Sequence, residues 1–169
     1  MRYFTRGWAN GELTEEEDDT LSRAYEARLT EITPRLPPSM VRLLEGASLH
    51  DAIIESVRWA PSQAELRLKL VCGASDVGYR GVQLTYRGAM LGKARIESLR
   101  NVANDREACI LYQEVDIDEE GVLAHRLLCW PNAEVTIEFR ELDYVSAPRD
   151  DRRVTLAGAF VVVEDGDDE

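Results

Sequence analysis

The hydrophobic period of this sequence changes at Gly46, and that change limits the folds that the chain can adopt. Before Gly46, apolar residues recur every three to four positions, as along one face of an α-helix. They are Leu21, Tyr25, Leu29 and Ile32. After Gly46, apolar and polar residues alternate, for example over 65–72, 82–87 and 134–140. Alternation is typical of antiparallel strands with one buried face, so we expect an α+β fold with its helices before its sheet.

Two N-terminal helices are predicted between residues 12 and 46. Thr14 is expected to cap the first helix, and Glu17 has the spacing that completes a capping box. Pro34 is expected to end this helix, because proline lacks the backbone donor and its ring clashes with the preceding turn. Pro38 is then expected to begin a second, short helix that stops at Gly46.

Most of the remaining chain is predicted to form strands. The predicted strands are 53–59, 64–72, 79–87, 108–117, 122–130, 134–144 and 154–163. Short connections at 60–63, 118–121 and 131–133 favour hairpins between neighbouring strands. The stretch 93–106 fits either one helical turn or an irregular strand.

The predicted architecture is two N-terminal helices packed on one face of a curved, mostly antiparallel sheet of about seven strands. No linker rich in glycine, serine or proline divides the chain, so a single domain is expected over 1–163. Its helical part is predicted at 12–46 and its sheet part at 52–163. Residues 164–169 form a separate acidic tail, which is expected to be disordered because its charges repel one another.

Acidic residues outnumber basic ones by 32 to 20, which gives a net charge of −12. Much of this excess lies in the tail and in six carboxylates near the start of the first predicted helix. These six residues are Glu12, Glu15, Glu16, Glu17, Asp18 and Asp19. Such a balance argues against a nucleic-acid partner and favours a basic protein partner. The alternative interpretation of the six carboxylates is a solvated helix start.

The sequence shows no sign of export or of a membrane partner. Residues 1–11 lack the apolar segment of a signal peptide. The longest apolar run, 156–163, is far shorter than the ~20 residues that span a bilayer. Cys72, Cys109 and Cys129 are scattered, and we expect them to be buried thiols in a reducing compartment. These features predict a cytoplasmic protein.

The segment from Asp116 to Gly121 begins like a calcium loop, with acids at its first, third and fifth positions and glycine at its sixth. Its twelfth position is Leu127 where a calcium loop has glutamate, and it lies between two predicted strands. We interpret it as an acidic hairpin turn, with a calcium site as the alternative. No metal or cofactor is expected.

His50 and Asp51 form the most notable pair of polar residues, at the step from the helical part to the sheet part. An aspartate beside a histidine can orient the imidazole for base chemistry or hold a metal. On an extended chain, however, adjacent side chains point to opposite faces. The alternative is that one of the two side chains satisfies backbone groups at this step.

A second set of candidates lies on the predicted sheet. Tyr86, Tyr112 and Glu114, together with His50, are candidate lining residues of a pocket on its concave face. No serine-hydrolase motif of the G-x-S-x-G type occurs. The failure of each enzyme motif favours a non-catalytic role.

Three short segments carry a resemblance to a known group of proteins. They are 1–8 (MRYFTRGW), 49–52 (LHDA) and 110–115 (ILYQEV). Together with the acidic helix, they resemble a family of uncharacterised bacterial proteins whose usual opening is M-K-Y-F-T-K-E-W. Gly7 stands where that family has an acidic residue. The L-H-D step before a sheet is also similar to some immunity proteins of bacterial toxin systems.

The first resemblance implies no established activity, and the second implies a basic toxin as partner. Our first hypothesis is therefore a non-catalytic, cytoplasmic protein-interaction domain of the immunity type, which binds a basic partner. The alternative is a small-molecule-binding protein or an enzyme that uses the concave sheet face. A deep polar pocket favours the alternative, and an exposed charged or apolar patch favours the first hypothesis.

Overall fold

The computed structural model describes residues 1–74, 76, 78–154 and 159–163. Within these residues it has four α-helices and eight strands. The helices are α1 (Arg6–Ala9), α2 (Glu15–Ile32), α3 (Pro38–Gly46) and α4 (Lys93–Asn104). The strands are β1 (Ile53–Ala60), β2 (Glu65–Ala74), β3 (Gly78–Arg87), β4 (Ile110–Ile117), β5 (Leu123–Cys129), β6 (Ala133–Phe139), β7 (Glu141–Arg149) and β8 (Phe160–Val162).

The strands form two sheets, so the prediction of one sheet of about seven strands is wrong. The larger sheet has the order β7–β3–β2–β1–β8, and the smaller has the order β4–β5–β6. All pairs are antiparallel except β1 with β8, which is parallel. The α+β class and the mostly antiparallel pairing are confirmed.

The predicted limits of the two N-terminal helices are confirmed by their end residues. Thr14 Oγ1 accepts a hydrogen bond from the Glu17 N–H (3.3 Å), and Glu17 Oε2 accepts one from the Thr14 N–H (2.8 Å), which completes the capping box. Pro38 is the first residue of α3 and Gly46 its last. Each helix therefore begins and ends where local sequence signals place it.

The predicted strand 134–144 is in fact two strands that belong to different sheets. β6 ends at Phe139 in the small sheet, and β7 begins at Glu141 in the large sheet. Buried positions fall on odd numbers before the break and on an even number after it, at Leu142. A change of parity moves the buried face to the other side of the chain. Gly88, with a φ of 62°, approaches the Arg140 side chain at this crossing.

Two further segments differ from the predicted elements. Most of the ambiguous stretch 93–106 forms the helix α4, Lys93–Asn104, so the predicted sheet part contains a helix. The last predicted strand, 154–163, is strand only at Phe160–Val162 among its described residues, and 155–158 lie outside them. The predicted disordered tail, 164–169, also lies outside the described residues.

The prediction that both N-terminal helices cover one sheet face is not confirmed. α2 contacts β4 of the small sheet, whereas α3 contacts β7 of the large sheet. α4 contacts β6 of the small sheet and both β1 and β8 of the large sheet. No helix among the described residues is both long and apolar enough to cross a membrane.

One core joins the two sheets. Its buried side chains include Leu68 and Leu84 from the large sheet and Leu127 and Ile137 from the small one. Cys72 and Cys129 are buried as predicted, and Cys109 is partly exposed.

Candidate functional site

The acidic start of α2, defined as Glu12 and residues 15–19, lies at the protein surface. Glu12, Glu15, Glu16, Glu17 and Asp19 are exposed, and Asp18 is half-buried. The first turn of α2 contains four of these acids. Carboxylates at this position interact favourably with the positive end of the helix dipole.

Some carboxylates of the acidic start of α2 are occupied by internal partners. Glu17 belongs to the capping box, and this hydrogen bonding lowers its pKa. Glu12 Oε1 accepts a hydrogen bond from Asn10 Nδ2 (2.9 Å), and Asp19 Oδ2 lies 3.3 Å from Arg23 Nη2. Glu15 and Glu16 form no ion pair with any described residue. Their charges therefore project into solvent.

The body of α2 is fixed to the small sheet by a tyrosine. The Tyr25 hydroxyl accepts a hydrogen bond from the Val115 N–H on β4 (3.0 Å). Burial raises the pKa of Tyr25 to about 12, so the hydroxyl stays protonated. This contact holds the helix at a defined place on β4.

A cluster of opposite charges fixes the same helix one turn further on. Arg28 Nη2 lies 2.8 Å from Asp116 Oδ1, Arg2 Nη1 lies 3.0 Å from Asp116 Oδ2, and Arg126 Nη2 lies 3.6 Å from it. Burial alone would raise the pKa of Asp116, but hydrogen bonds from Arg28 and the Ile117 N–H outweigh it. The pKa of Asp116 is therefore below its ordinary value.

Glu114, a candidate pocket residue, holds the N-terminal segment and is fully buried. Its Oε1 accepts hydrogen bonds from the backbone N–H groups of Arg2, Tyr3 and Phe4, at 3.0, 2.7 and 2.8 Å. Arg126 Nη1 lies 3.8 Å from Oε2. Three backbone donors on one carboxylate leave it little capacity for a ligand.

Tyr86, the second pocket candidate, is also fully buried and bonds across the two sheets. Its hydroxyl lies 2.8 Å from His125 Nδ1, and His125 Nε2 lies 2.9 Å from Gln113 Oε1. Because Gln113 Oε1 only accepts, Nε2 carries the proton and Nδ1 accepts from Tyr86. Burial raises the pKa of Tyr86 and lowers the pKa of His125 to about 4.

Tyr112, the third pocket candidate, belongs to an aromatic cluster. Its ring centroid lies 4.5 Å from Trp8, 5.6 Å from Phe4 and 5.4 Å from His50. Tyr112 and His50 are thus in contact, whereas Tyr86 and Glu114 are each enclosed with other partners. The structure does not bring the predicted lining residues together around one opening.

His50 and Asp51 contact each other, contrary to the expectation from an extended chain. His50 Nδ1 lies 3.1 Å from Asp51 Oδ2, because the φ of 60° at Asp51 turns the chain. Both side chains are about half exposed, at 50% and 57%. The hydrogen bond to the neighbouring segment comes from the Asp51 backbone: its N–H donates to Ile110 O (2.7 Å).

The predicted acidic turn joins β4 and β5, as the hairpin interpretation requires. Asp118 Oδ1 accepts a hydrogen bond from the Val122 N–H (2.7 Å). A cleft of about 470 Å³ lies beside the turn, between Arg2, Arg28 and the small sheet. Among the described residues, no group of three or more histidine, cysteine, aspartate or glutamate side chains has a metal-binding arrangement.

Sequence reasoning missed His125, Arg28 and Arg126. The structural role of each side chain depends on a partner that is distant in the sequence, such as Tyr86 for His125. The one available signal is that His125 lies at an inward position of an alternating strand. A buried imidazole needs hydrogen-bond partners, so this position indicates a buried polar contact.

No curated protein and no solved structure matches this chain. One family model does, over residues 3–139, and its description is "Protein of unknown function (DUF4085)". The matched span runs from the N-terminal segment to the end of β6, and so includes the acidic start of α2, Glu114 and His125. The expected resemblance to an uncharacterised family is confirmed to this extent, and the chain belongs to the DUF4085 family.

Proposed function

We propose that this protein is a non-catalytic interaction domain of the immunity type, which binds a basic protein partner through the acidic start of α2. The observation that carries the proposal is the pair Glu15 and Glu16. Both are exposed at the first turn of an 18-residue helix, and neither forms an ion pair with a described residue.

The electrostatics of this position favour a cationic partner. The helix dipole supplies about half a positive charge at its N-terminus. Four acids in the first turn exceed that charge several-fold, so a net negative potential remains in front of the helix. Such a potential accelerates the encounter with a basic surface more than it strengthens the final complex.

The rigidity of α2 supports the same proposal. Tyr25 and Arg28 attach the helix to β4, so the carboxylates at its start are held in a fixed arrangement. A fixed arrangement costs little conformational entropy on binding. It also sets the register in which a partner's cations must be presented.

The internal partners of Glu114, Asp116 and His125 support a non-catalytic role for these three side chains. Glu114 and Asp116 are buried and saturated with backbone and arginine donors. His125 is enclosed between Tyr86 and Gln113. General acid–base chemistry needs a group within hydrogen-bond reach of a substrate, and Glu114 and His125 are enclosed by the chain itself. Asp116 borders the cleft beside the acidic turn, but its oxygens are held by arginines.

The test is a capture experiment from a lysate of the native host with a matched control. The test variant carries Glu15→Gln, Glu16→Gln and Asp19→Asn. The control carries Glu45→Gln, Glu97→Gln and Glu107→Gln, which change the net charge equally at exposed sites outside the start of α2.

We expect the wild type and the control to capture the same basic protein, and the test variant to capture several-fold less of it. Equal capture by all three proteins would contradict the proposal, as would a wild type that captures no basic protein. Unfolding curves of the three proteins establish that each is folded.

A further inference from the structure

The solvent face of the large sheet carries a group of cations where β1, β2 and β8 lie side by side. Arg58 lies on β1, and Arg67 and Lys69 lie on β2. With Ser56, Val57 and Val161 they line a hollow of about 230 Å³, which we name the Arg58 hollow. A concentration of positive charge is unexpected in a chain with a net charge of −12.

The register of the strands places like charges opposite each other, which lowers the stability of the sheet. Arg58 lies directly opposite Arg67 in the β1–β2 pair, and Ser56 lies opposite Lys69. Like charges that face each other across neighbouring strands destabilise a sheet. A position that violates such a rule without local compensation is a candidate functional position.

The neighbouring carboxylate, Glu65, compensates only Arg67 among these charges. Glu65 Oε1 lies 2.8 Å from Arg67 Nη2, but its other oxygen lies 3.5 Å from Arg87 Nε, so two arginines share it. Arg58 and Lys69 form no ion pair within the described part of the chain. Arg67 Nε is buried there without a hydrogen-bond partner.

Several other arginines have a carboxylate of their own, whereas others, such as Arg42, form no ion pair with a described residue. Arg149 Nη1 lies 2.6 Å from Glu55 Oε1, and Arg95 Nη1 lies 2.9 Å from Glu138 Oε2. Among the described residues, the Arg58 hollow receives one carboxylate, and that carboxylate is shared. Within the described part of the chain, Arg58 and Lys69 are therefore available to an anionic ligand.

We propose that the Arg58 hollow binds the phosphate group of a small molecule. The Arg58 guanidinium offers a planar pair of donors that matches phosphate oxygens, Lys69 adds a point charge, and Arg67 adds positive charge while its Nη2 stays on Glu65. A hollow of about 230 Å³ is smaller than the ~300–1,000 Å³ of sites that enclose a whole drug-sized ligand, so it accepts one anionic group. Val161, which is 44% exposed, provides an apolar wall for the rest of the molecule.

The site lies apart from the acidic start of α2, and the two surfaces have opposite charge. A nucleic acid has the same phosphate chemistry, but its repeated charges are repelled by a chain of net charge −12. The proposal therefore concerns a small phosphate-bearing ligand.

The test is calorimetric titration with two probes, inorganic phosphate and glycerol phosphate, at constant ionic strength. The test variant is Arg58→Gln with Lys69→Gln. The control is Arg42→Gln with Lys93→Gln, two exposed cations on α3 and α4 that do not line the hollow. A short single-stranded oligonucleotide is titrated in parallel.

We expect the wild type and the control to bind at least one phosphate probe with the same affinity, and the test variant to bind it at least tenfold more weakly. Preference for glycerol phosphate assigns the site to a phosphomonoester, and equal or tighter binding of inorganic phosphate assigns it to the free ion. Without ligand, the melting temperature of the test variant should be equal to or above that of the wild type, because a like-charge pair is removed.

The proposal is overturned if neither probe binds, if the test variant binds as tightly as the wild type, or if only the oligonucleotide binds. If the double variant does not fold, Lys69→Gln replaces it, since Lys69 is exposed. A weakening of about threefold is then expected, and an unchanged affinity overturns the proposal.

Discussion

Buried ionisable side chains hold distant parts of this chain together. Glu114 on β4 accepts the backbone N–H groups of Arg2, Tyr3 and Phe4, more than 100 residues away in sequence. A buried carboxylate is stable only where hydrogen bonds and opposite charges replace its hydration. Here the N-terminal segment provides the hydrogen bonds and Arg126 the charge, so that segment and the small sheet stabilise each other.

Replacement of Glu114 by alanine should lower the free energy of unfolding by about 3 kcal/mol, because three backbone donors and Arg126 lose their acceptor. Urea denaturation measures this change. Glu119→Ala, at an exposed position of the acidic turn, is the control and should change stability by less than about 0.5 kcal/mol. Equal effects of the two substitutions would refute the role assigned to Glu114.

The stability of the protein should depend on His125 between pH 4 and pH 6.5. Burial lowers the pKa of His125 from its ordinary 6.5 to about 4, so the native state favours the neutral imidazole. The unfolded chain then binds more protons in this range, and stability falls as the pH falls. The full loss from this group is about 3 kcal/mol.

The measurement compares the pH dependence of unfolding for wild type and His125→Gln, with the exposed His50→Gln as the control. His125→Gln should flatten the curve between pH 4 and pH 6.5, and His50→Gln should leave most of the slope. A slope that persists in His125→Gln would assign it to other groups.

At the scale of elements, local signals determine helix ends better than sheet membership. The capping box at Thr14 and the proline at Pro38 act within one turn of helix, so they are readable from the sequence. At Arg140 the chain passes from the small sheet to the large sheet, and this step depends on which sheet each strand joins. Its one local sign is that the buried positions change from odd to even numbers between Phe139 and Leu142.

Thr14→Ala should lower the free energy of unfolding by about 1 kcal/mol, because the Glu17 N–H loses its acceptor at the start of α2. Thr30→Ala, in the same helix, removes an exposed side chain that bonds only to the preceding turn, and should cost less. Thermal or urea unfolding of the two variants gives the comparison. A larger effect at Thr30 would contradict the importance of the cap.

The sequence predicts the candidate site only where that site consists of residues that are close together in the chain. The acidic start of α2 is visible as a run of carboxylates behind a cap, and the structure places it on the surface. The sequence marks Tyr86 and Glu114 as candidates but predicts that they line a pocket. Their partners, His125 and the N-terminal backbone, are brought to them by tertiary folding, which no spacing along the strand indicates.

At the scale of the whole molecule, charge is separated between two surfaces. Among the described residues, Glu15 and Glu16 at the acidic start of α2 form no ion pair, and neither do Arg58 and Lys69 at the Arg58 hollow. Net charge alone describes neither surface, because local excesses of both signs coexist in one chain of net charge −12. We therefore expect each surface to select a ligand of the opposite charge.

The central claim is that the acidic start of α2 captures a basic partner, and its most direct test is association kinetics across a salt series. The partner captured by the wild type is measured by stopped flow from about 0.05 to 0.5 M salt, where the Debye length falls from ~14 to ~4 Å. We expect the association rate of the wild type to fall steeply with salt. The Glu15→Gln, Glu16→Gln, Asp19→Asn variant should associate more slowly, with a shallower dependence and an almost unchanged dissociation rate. Association that is equal in both proteins and independent of salt would contradict the account.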